Sequence, residues 1–394
     1  MNKYIVSAIF GCLFFVNAFS QDKNIGELLN EIEQNSTELK GYQFFIESQQ
    51  LENKSTNNLP DLQLSGYYMP FGDNITGDYT EYEISQSFEF PMVYASRNKW
   101  NESKSEQLAY AYSTKRQGVL LQAKVILLEL VFLQKQKAIE TERITQSKQV
   151  FDQIKELFDK EQIGVLDLNK AKIAWIQEQF VVKQIESDIQ IQMSKLKNLN
   201  GGNPIDGILS QIVLPIEMGT IENLWQEKLT NDPQLQELKA NETTSFQKIK
   251  LEKNKVLPNV ALGYNYQGVS GSNYSGLFGG ISIPLWSSKN KVKAAQANYE
   301  YQQSNTEVIT TSLYAQFQET YNRYGLMLEK LNEYQATMGN LDSERLLFKA
   351  YQLGEYSFRD YYLELQFYRT AKDRMLQMEK ELQLLQAQLL KHQL

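Results

Sequence analysis

The chain states almost the same order of motifs twice, and this duplication constrains its fold more than any other feature. Leu59-Pro60-Asp61-Leu62-Gln63-Leu64-Ser65-Gly66-Tyr67-Tyr68 returns as Leu257-Pro258-Asn259-Val260-Ala261-Leu262-Gly263-Tyr264-Asn265-Tyr266. Phe90-Pro91-Met92-Val93-Tyr94 returns as Ile283-Pro284-Leu285-Trp286-Ser287, and Gly164-Val165-Leu166-Asp167 as Gly354-Glu355-Tyr356-Ser357. The offsets are 258 − 60 = 198, 284 − 91 = 193 and 354 − 164 = 190, so the order holds with small deletions. Each copy reads as a helix, two short strands, a very long helix, a glycine turn and a return helix. A repeat of half the chain is far longer than a solenoid period, so two copies of one unit must pack on each other.

Residues 1–20 read as a secretory signal, with Lys3 as the positive start, Ile5 to Val16 as the apolar core and Ala18-Phe19-Ser20 as the cleavage site. Cleavage is expected before Gln21. Cys12 follows Ile9-Phe10-Gly11, a faint lipoprotein box, but a cut there would leave an apolar core of only seven residues. Lipidation is therefore not expected, and Cys12 leaves with the signal. The mature chain then has no cysteine, which excludes disulfides and thiolate metal sites. Its lone histidine, His392, reads as solvated, and no metal or cofactor is expected. Met375 and Met378 share a helix face, but without His, Cys or a third Met they read as packing rather than as a soft-metal site. The mature net charge is 39 − 47 = −8, which argues against a nucleic-acid partner. The most apolar run, Val119 to Leu133, is interrupted by Gln122, Lys124 and Glu129, so a membrane-spanning helix is not expected. An exported chain of this kind can still cross a membrane through β-strands.

The pattern predicts a mainly α protein with a small β part. Repeat 1 (21–200) holds a helix at 25–54, strands at 61–69 and 81–90, a long helix at 92–163 and a return helix at 167–199. A connector follows at 201–218. Repeat 2 (219–394) holds a helix at 220–254, strands at 259–267 and 277–284, a long helix at 285–353 and a return helix at 357–390. Pro60, Pro91, Pro258 and Pro284 mark the helix–strand junctions, where proline cannot continue a helix. In the clearest strand Tyr82, Ile84, Phe88 and Phe90 alternate with Glu81, Glu83, Ser85, Ser87 and Glu89; such alternation fits a barrel strand or a soluble hairpin. Phe71 to Tyr79 and Gly268 to Gly276 have loop composition. Gly164 and Gly354 are expected in the left-handed region at the helix ends. Asp167 is expected as an N-cap, and Ser357 with Asp360 as a capping box.

Lengths constrain the shape further. The long helix of 72 residues, roughly 105 Å, nearly equals the first helix and the return helix laid end to end. Long antiparallel coiled-coil helices then form a rod with strands at one end and glycine turns at the other. Four strands cannot close a membrane barrel alone, so the chain must oligomerise. Two copies give eight strands, whose interior side chains would largely fill, and three give twelve, wide enough for a channel.

The duplicated helix–Pro–strand–loop–strand–Pro–long-helix order, with its paired G-x-x-[DS] turns, resembles the outer-membrane efflux (TolC) family over essentially the whole mature chain. Asn231-Asp232-Pro233-Gln234-Leu235 resembles the opening of each family repeat; Asn35-Ser36-Thr37-Glu38-Leu39 is its proline-free counterpart. The resemblance implies a homotrimer whose twelve-stranded barrel spans the outer-membrane lipid while a helical tunnel crosses the periplasm. It implies a tip, Gly164, Val165, Leu166, Asp167, Gly354, Glu355, Tyr356 and Ser357, that docks a periplasmic adaptor (membrane fusion) protein coupled to an inner-membrane pump, expected to be proton-driven. Lys170 in the first copy stands where the second has Asp360, so the tip charges are expected to differ.

If the barrel forms, Glu81, Glu83 and Glu89 line its lumen as carboxylate rings that favour cations. Tyr67, Tyr68, Tyr79, Tyr82, Phe88, Phe90, Tyr264, Tyr266 and Trp286 are either interfacial girdles or ordinary core. Three readings of function remain. The first is a passive exit duct for small solutes such as drugs or metal cations. The second keeps the fold for a one-step protein secretion system. The third is a soluble periplasmic coiled-coil adaptor or rod. An enzyme is not expected, because the body of the chain lacks histidine, cysteine, a phosphate loop and paired catalytic carboxylates.

Overall fold

A computed structural model describes residues 24–70, 78–205, 218–269, 271–338 and 343–394. The signal segment, Cys12, residues 71–77 of the first loop and 206–217 of the connector lie outside the described residues.

Repeat 1 comprises α1 (Ile25–Asn35), α2 (Thr37–Ser55), β1 (Gln63–Met69), β2 (Tyr79–Phe88), α3 (Pro91–Asp159) and α4 (Val165–Leu199). Repeat 2 comprises α5 (Ile221–Asn231), α6 (Pro233–Asn254), β3 (Asn259–Val269), β4 (Ser272–Ser282), α7 (Lys291–Met338), α8 (Ser343–Gln352), α9 (Phe358–Leu389) and a 3-10 turn at Lys391–Gln393.

The opening helix of each repeat is divided rather than continuous. Asn24 starts α1 with a reciprocal capping box to Glu27. Ser36 is fully buried and N-caps α2 through the Leu39 amide, 3.4 Å away. Asp232 does the same for α6 through the Gln234 amide (3.0 Å), with Pro233 in the first helical position, where its missing N–H costs nothing.

α3 runs unbroken for 69 residues and is the spine. It is long and apolar enough to span a bilayer on composition. The fold gives its apolar middle another task. Val119, Leu120, Ala123, Ile126, Leu127 and Leu130 are buried against Leu28, Leu29 and Ile32 of α1 and Leu196 and Leu199 of α4. This waist core fixes the joint between α1–α2 and α4. A second core places Trp225 of α5 against Phe317, Tyr324 and Leu331 of α7 and Leu382, Leu385 and Leu389 of α9. A third, smaller core lies at the far end: Val150, Ile154, Ala171, Tyr361 and Leu365.

The four strands form one antiparallel sheet in the order β1-β2-β3-β4. β3 and β4 run further than their composition predicts. Val269 pairs with Ser272, and Gly271 takes φ +81°, so residues 272–276 are strand rather than loop. α7 begins later than expected. The segment after Pro284 turns on itself, with Asn290 at φ +63° before Lys291.

Candidate functional site

The sheet has two chemically different faces. Pairing places Leu64, Ile84, Tyr264 and Leu277 in one row across all four strands. Tyr82 and Tyr266 form the next row, their rings stacked at 6.3 Å. Leu262 and Ile281 lie on the same face. These side chains are exposed, Leu277 to 89%, except for the half-buried Tyr266. A contiguous exposed apolar surface of this kind marks contact with lipid or protein, because burying each such aliphatic group is worth about 1.5–3 kcal/mol.

The opposite face is polar. Ser65, Glu83 and Asn265 share a row, and Tyr67, Glu81, Gln267 and Tyr274 share the next. The Glu81 carboxylate accepts hydrogen bonds from Asn265 (2.5 Å), Gln267 (3.2 Å) and the Tyr79 hydroxyl (2.6 Å). Those donors come from both repeats and hold the carboxylate in place. Gly263 is required on this face, because a Cβ there would stand 2.3 Å from the Phe278 ring.

Glu89 departs from the sequence reading. It lies beyond the end of β2, and its carboxylate pairs with Arg97 of α3 at 2.5 Å. The Tyr94 hydroxyl accepts from the Glu89 amide at 3.2 Å. The strand ends at Phe88 because Pro91 opens α3 with Phe90 as its N-cap. Glu89 thus belongs to the sheet–helix junction rather than to the polar face. The other junction prolines are held locally. Gln86 donates to the Pro60 carbonyl (2.7 Å), and Ser288 to that of Pro284 (3.2 Å), while Pro258 directly precedes β3. Trp286, beside Pro284, is 80% exposed.

Both edges of the sheet and of the helical layer are open. α3 packs between α2 and α6, and α6 between α3 and α7. The helix order α2-α3-α6-α7 therefore repeats the order of the strands that these helices lead into or out of. Among the described residues β1 and β4 each have one neighbour. The helices beside those edges carry exposed apolar stripes, Phe44 and Leu51 on α2 and Tyr301 and Val308 on α7. The return helices carry more, Ile173, Ile176 and Phe180 on α4 and Leu363 and Phe367 on α9.

At the far end two turns share one backbone path. α3 closes through the Gln162 amide to the Leu157 carbonyl (2.9 Å), with Glu161 at φ +58°. α8 closes through the Glu355 amide to the Ala350 carbonyl (3.0 Å), with Gly354 at φ +78°. Both are Schellman closures. Gly164, at φ −85°, is the N-cap of α4, and Ser357 is the N-cap of α9. The structural equivalents are thus Glu161 with Gly354 and Gly164 with Ser357, at an offset of 354 − 161 = 357 − 164 = 193. That offset is also the one between Pro91 and Pro284. Asp167 is accordingly not an N-cap; it lies in the first turn and matches Asp360 at 360 − 167 = 193. The expected difference between Lys170 and Asp360 disappears in this register, and both turns carry an aspartate. Ser357 Oγ accepts from the Asp360 amide (3.2 Å) and donates to its carboxylate (2.6 Å). Val165, Leu166, Leu353 and Tyr356 are exposed around the turns.

Behind the turns lie residues that the sequence did not single out. Tyr351 and Tyr361 stack at 4.8 Å, and burial pushes the pKa of each up to about 12. Buried Arg369 of α9 pairs with Glu178 of α4 (2.6 Å) and donates to Gln146 of α3 (3.2 Å). Buried Arg143 of α3 holds Glu140 (2.7 Å) and Asp373 of α9 (2.8 Å). Burial lifts the Glu140 pKa above the usual carboxylate range, with Arg143 pulling it back. Arg143 stays above its ordinary value despite its own desolvation, because Asp373 bonds it. This ionic layer ties the α3–α4 hairpin to α9. Among the described residues no group of three His, Asp or Glu side chains is arranged to hold a metal.

No family model matches the sequence, and no curated protein resembles it significantly. Solved structures do. A CusC structure, from work on its folding and transmembrane channel formation, superposes with TM-score 0.78 at 13% identity, covering 94% of this chain and 92% of that one. The Campylobacter jejuni CmeC outer membrane channel gives TM-score 0.73 at 15% identity, covering 100% and 93%. The open state of the Neisseria gonorrhoeae MtrE outer membrane channel gives 0.69 at 11%, covering 93% and 88%. At such low identity the likeness speaks to the fold, and the chain has the TolC-like fold of outer-membrane efflux channels.

Proposed function

We propose that the chain is the outer-membrane exit duct of a tripartite efflux assembly. Three copies join edge to edge, and three times four strands make a twelve-stranded barrel. The observation that carries this reading is the sheet with two open edges and an exposed apolar face. In hydrocarbon each unpaired edge amide or carbonyl costs several kcal/mol, so the sheet cannot enter lipid as a single copy. An even number of antiparallel strands leaves β4 running opposite to β1, so β4 of one copy meets β1 of the next in antiparallel fashion around a closed ring. The exposed stripes on α2 and α7 are brought together by the same rotation.

The apolar face then meets lipid, and the polar face with Glu81 and Glu83 lines the lumen. Threefold repetition turns these carboxylates into rings that favour cations over anions. The helices cross the periplasm. The tip, Gly164 to Asp167 and Gly354 to Ser357, meets a periplasmic adaptor coupled to an inner-membrane, proton-driven pump. The cargo is a small solute such as a drug or a metal cation.

The test is recovery from outer membranes as a trimer, followed by reversal potentials in planar bilayers under a salt gradient. Cation preference that falls in Glu81→Gln/Glu83→Gln supports the reading. Recovery as a water-soluble monomer ends the channel reading, and anion preference untouched by that double variant ends the lumen assignment.

A further inference from the structure

The 3-10 turn after α9 joins the two repeats at the waist. On the repeat 1 side Gln117 of α3 donates to the Lys391 carbonyl (3.0 Å), and Arg116 donates to the main-chain oxygen of Leu394 (2.7 Å). The same guanidinium forms a two-pronged pair with Glu33 of α1 (2.6 and 2.7 Å). Leu394 packs on the waist core. On the repeat 2 side Gln393 donates to Glu227 of α5 (3.0 Å), and the His392 side chain is fully buried, at 0% exposure. Its solvation differs from the sequence reading because the turn folds back under α5.

The environment of His392 is unusual for an imidazole. Among the described residues neither ring nitrogen has a close hydrogen-bond partner; Nε2 stands 3.4 Å from a Glu227 carboxylate oxygen, a long ion-pair contact at best. α5 also contributes Lys228, whose ammonium is paired with buried Asp232 at the α5–α6 joint. The turn itself contributes Lys391, 3.9 Å from Asp232. α3 contributes Arg116, already matched by Glu33. Residues 382–390 at the end of α9 carry no charged side chain. The acids Glu227 and Asp232 are thus balanced by Lys228 and Lys391 while His392 is neutral. A proton on the docked ring adds a buried positive charge near Lys228, offset chiefly by Glu227, itself partly exposed, and to a lesser degree by Asp232.

We propose that Leu390–Leu394 is an acid-released clasp between the two repeats, with His392 as the group that releases it. Burial holds the imidazole below its ordinary pKa, with Glu227 pulling the other way. A histidine depressed in the docked state binds its proton more readily once the segment undocks. Docking is therefore at full strength above the free value, and it weakens as the pH falls from there toward the docked value. At pH 5.5 the weakening reaches at most about tenfold, set by a free pKa of about 6.5. Release frees the turn from both α3 and α5 without breaking either helix, and it does not depend on the channel reading.

The test uses the full chain in detergent. With one histidine in the sequence, carbon-13 histidine labelling gives a single imidazole signal. The expected midpoint lies below the free value. Hydrogen exchange of residues 390–394, corrected for its intrinsic pH dependence, is expected to lose up to about tenfold in protection between pH 7.5 and 5.5. His392→Gln is expected to remove that loss, and Glu227→Gln to lower the imidazole midpoint further. Unchanged protection at pH 5.5, a midpoint at or above the free value, or an equal acid loss in His392→Gln overturns the proposal. Where His392→Gln does not assemble, an imidazole midpoint in Glu227→Gln no lower than in the parent overturns it as well.

Discussion

The two turns at the tip follow the same backbone path with different residues, and the difference separates what the duplication kept from what it let drift. Repeat 1 places Glu161 in the left-handed region and leaves Gly164 to cap α4 without a side chain. Repeat 2 places Gly354 in the left-handed region and gives α9 a serine cap. The path and the spacing from junction proline to turn survive. The local chemistry is stronger in repeat 2, where the αL position costs nothing and the orphan amides of α9 have an acceptor. Repeat 1 compensates by packing, because α3 is buried along much of its length whereas α7 buries only Ala295, Phe317, Tyr324 and Leu331 among its described residues.

The largest test breaks the link between the two hairpins. Arg369→Leu leaves the half-buried Glu178 unpaired and is expected to cost about 2–4 kcal/mol, read as a lower urea midpoint for the tip. A loss below about 1 kcal/mol would show that the ionic layer is incidental.

The second test separates the hairpins spectroscopically. No tyrosine occurs between residues 134 and 199, so Tyr351 and Tyr361 report on repeat 2. Both carry pKa values raised to about 12, so native stability should fall as pH rises from about 10 toward 12, where the unfolded chain loses protons first. Absorbance titration at 295 nm should show at least two late tyrosines, fewer by two in Tyr351→Phe/Tyr361→Phe; ionisation of all of them near pH 10 in the folded protein contradicts the aromatic core.

The third test exchanges the turn residues. Gly354→Ala, forced to φ +78°, should cost about 1–2 kcal/mol, and Glu161→Gly, relieved at φ +58°, should gain a comparable or smaller amount. Gly164→Ala should be near neutral, since its φ is −85° and nothing lies within 4 Å of the added Cβ. A larger penalty at Gly164 than at Gly354 would restore the register with offset 190. The smallest test concerns caps. Ser357→Ala should cost about 1 kcal/mol, and Gly164→Ser should gain a few tenths. Both are measurable as hairpin-specific changes in hydrogen exchange.

These contrasts show where the sequence was readable. The strand faces were legible because they depend on neighbours two residues apart, so Leu64, Ile84 and Leu262 fall where alternation puts them. The breaks at Ser36 and Asp232 were not, because an N-cap interrupts a helix without disturbing the apolar spacing on either side. Residues 272–276 look like a loop by composition, yet their amides are satisfied by β3. Glu89 reads as a strand residue until Arg97, eight positions on, comes back alongside it. The ionic layer and the burial of His392 depend on contacts spanning roughly half the chain, as between Glu178 and Arg369, and no local period carries that information.

The waist core grips α3 around residues 119–130, yet the helix continues to Asp159. Beyond Leu133 it has 159 − 133 = 26 residues, roughly 39 Å of uninterrupted hydrogen-bonded cylinder at the ordinary rise. A strut of that length acts as a lever with its pivot at the waist, and a tilt of about 10° carries its end roughly 7 Å sideways on the same rise. Small repacking among Leu127, Leu130 and Leu196 is thereby magnified into a displacement comparable to a side chain's width at Gly164 and its neighbours.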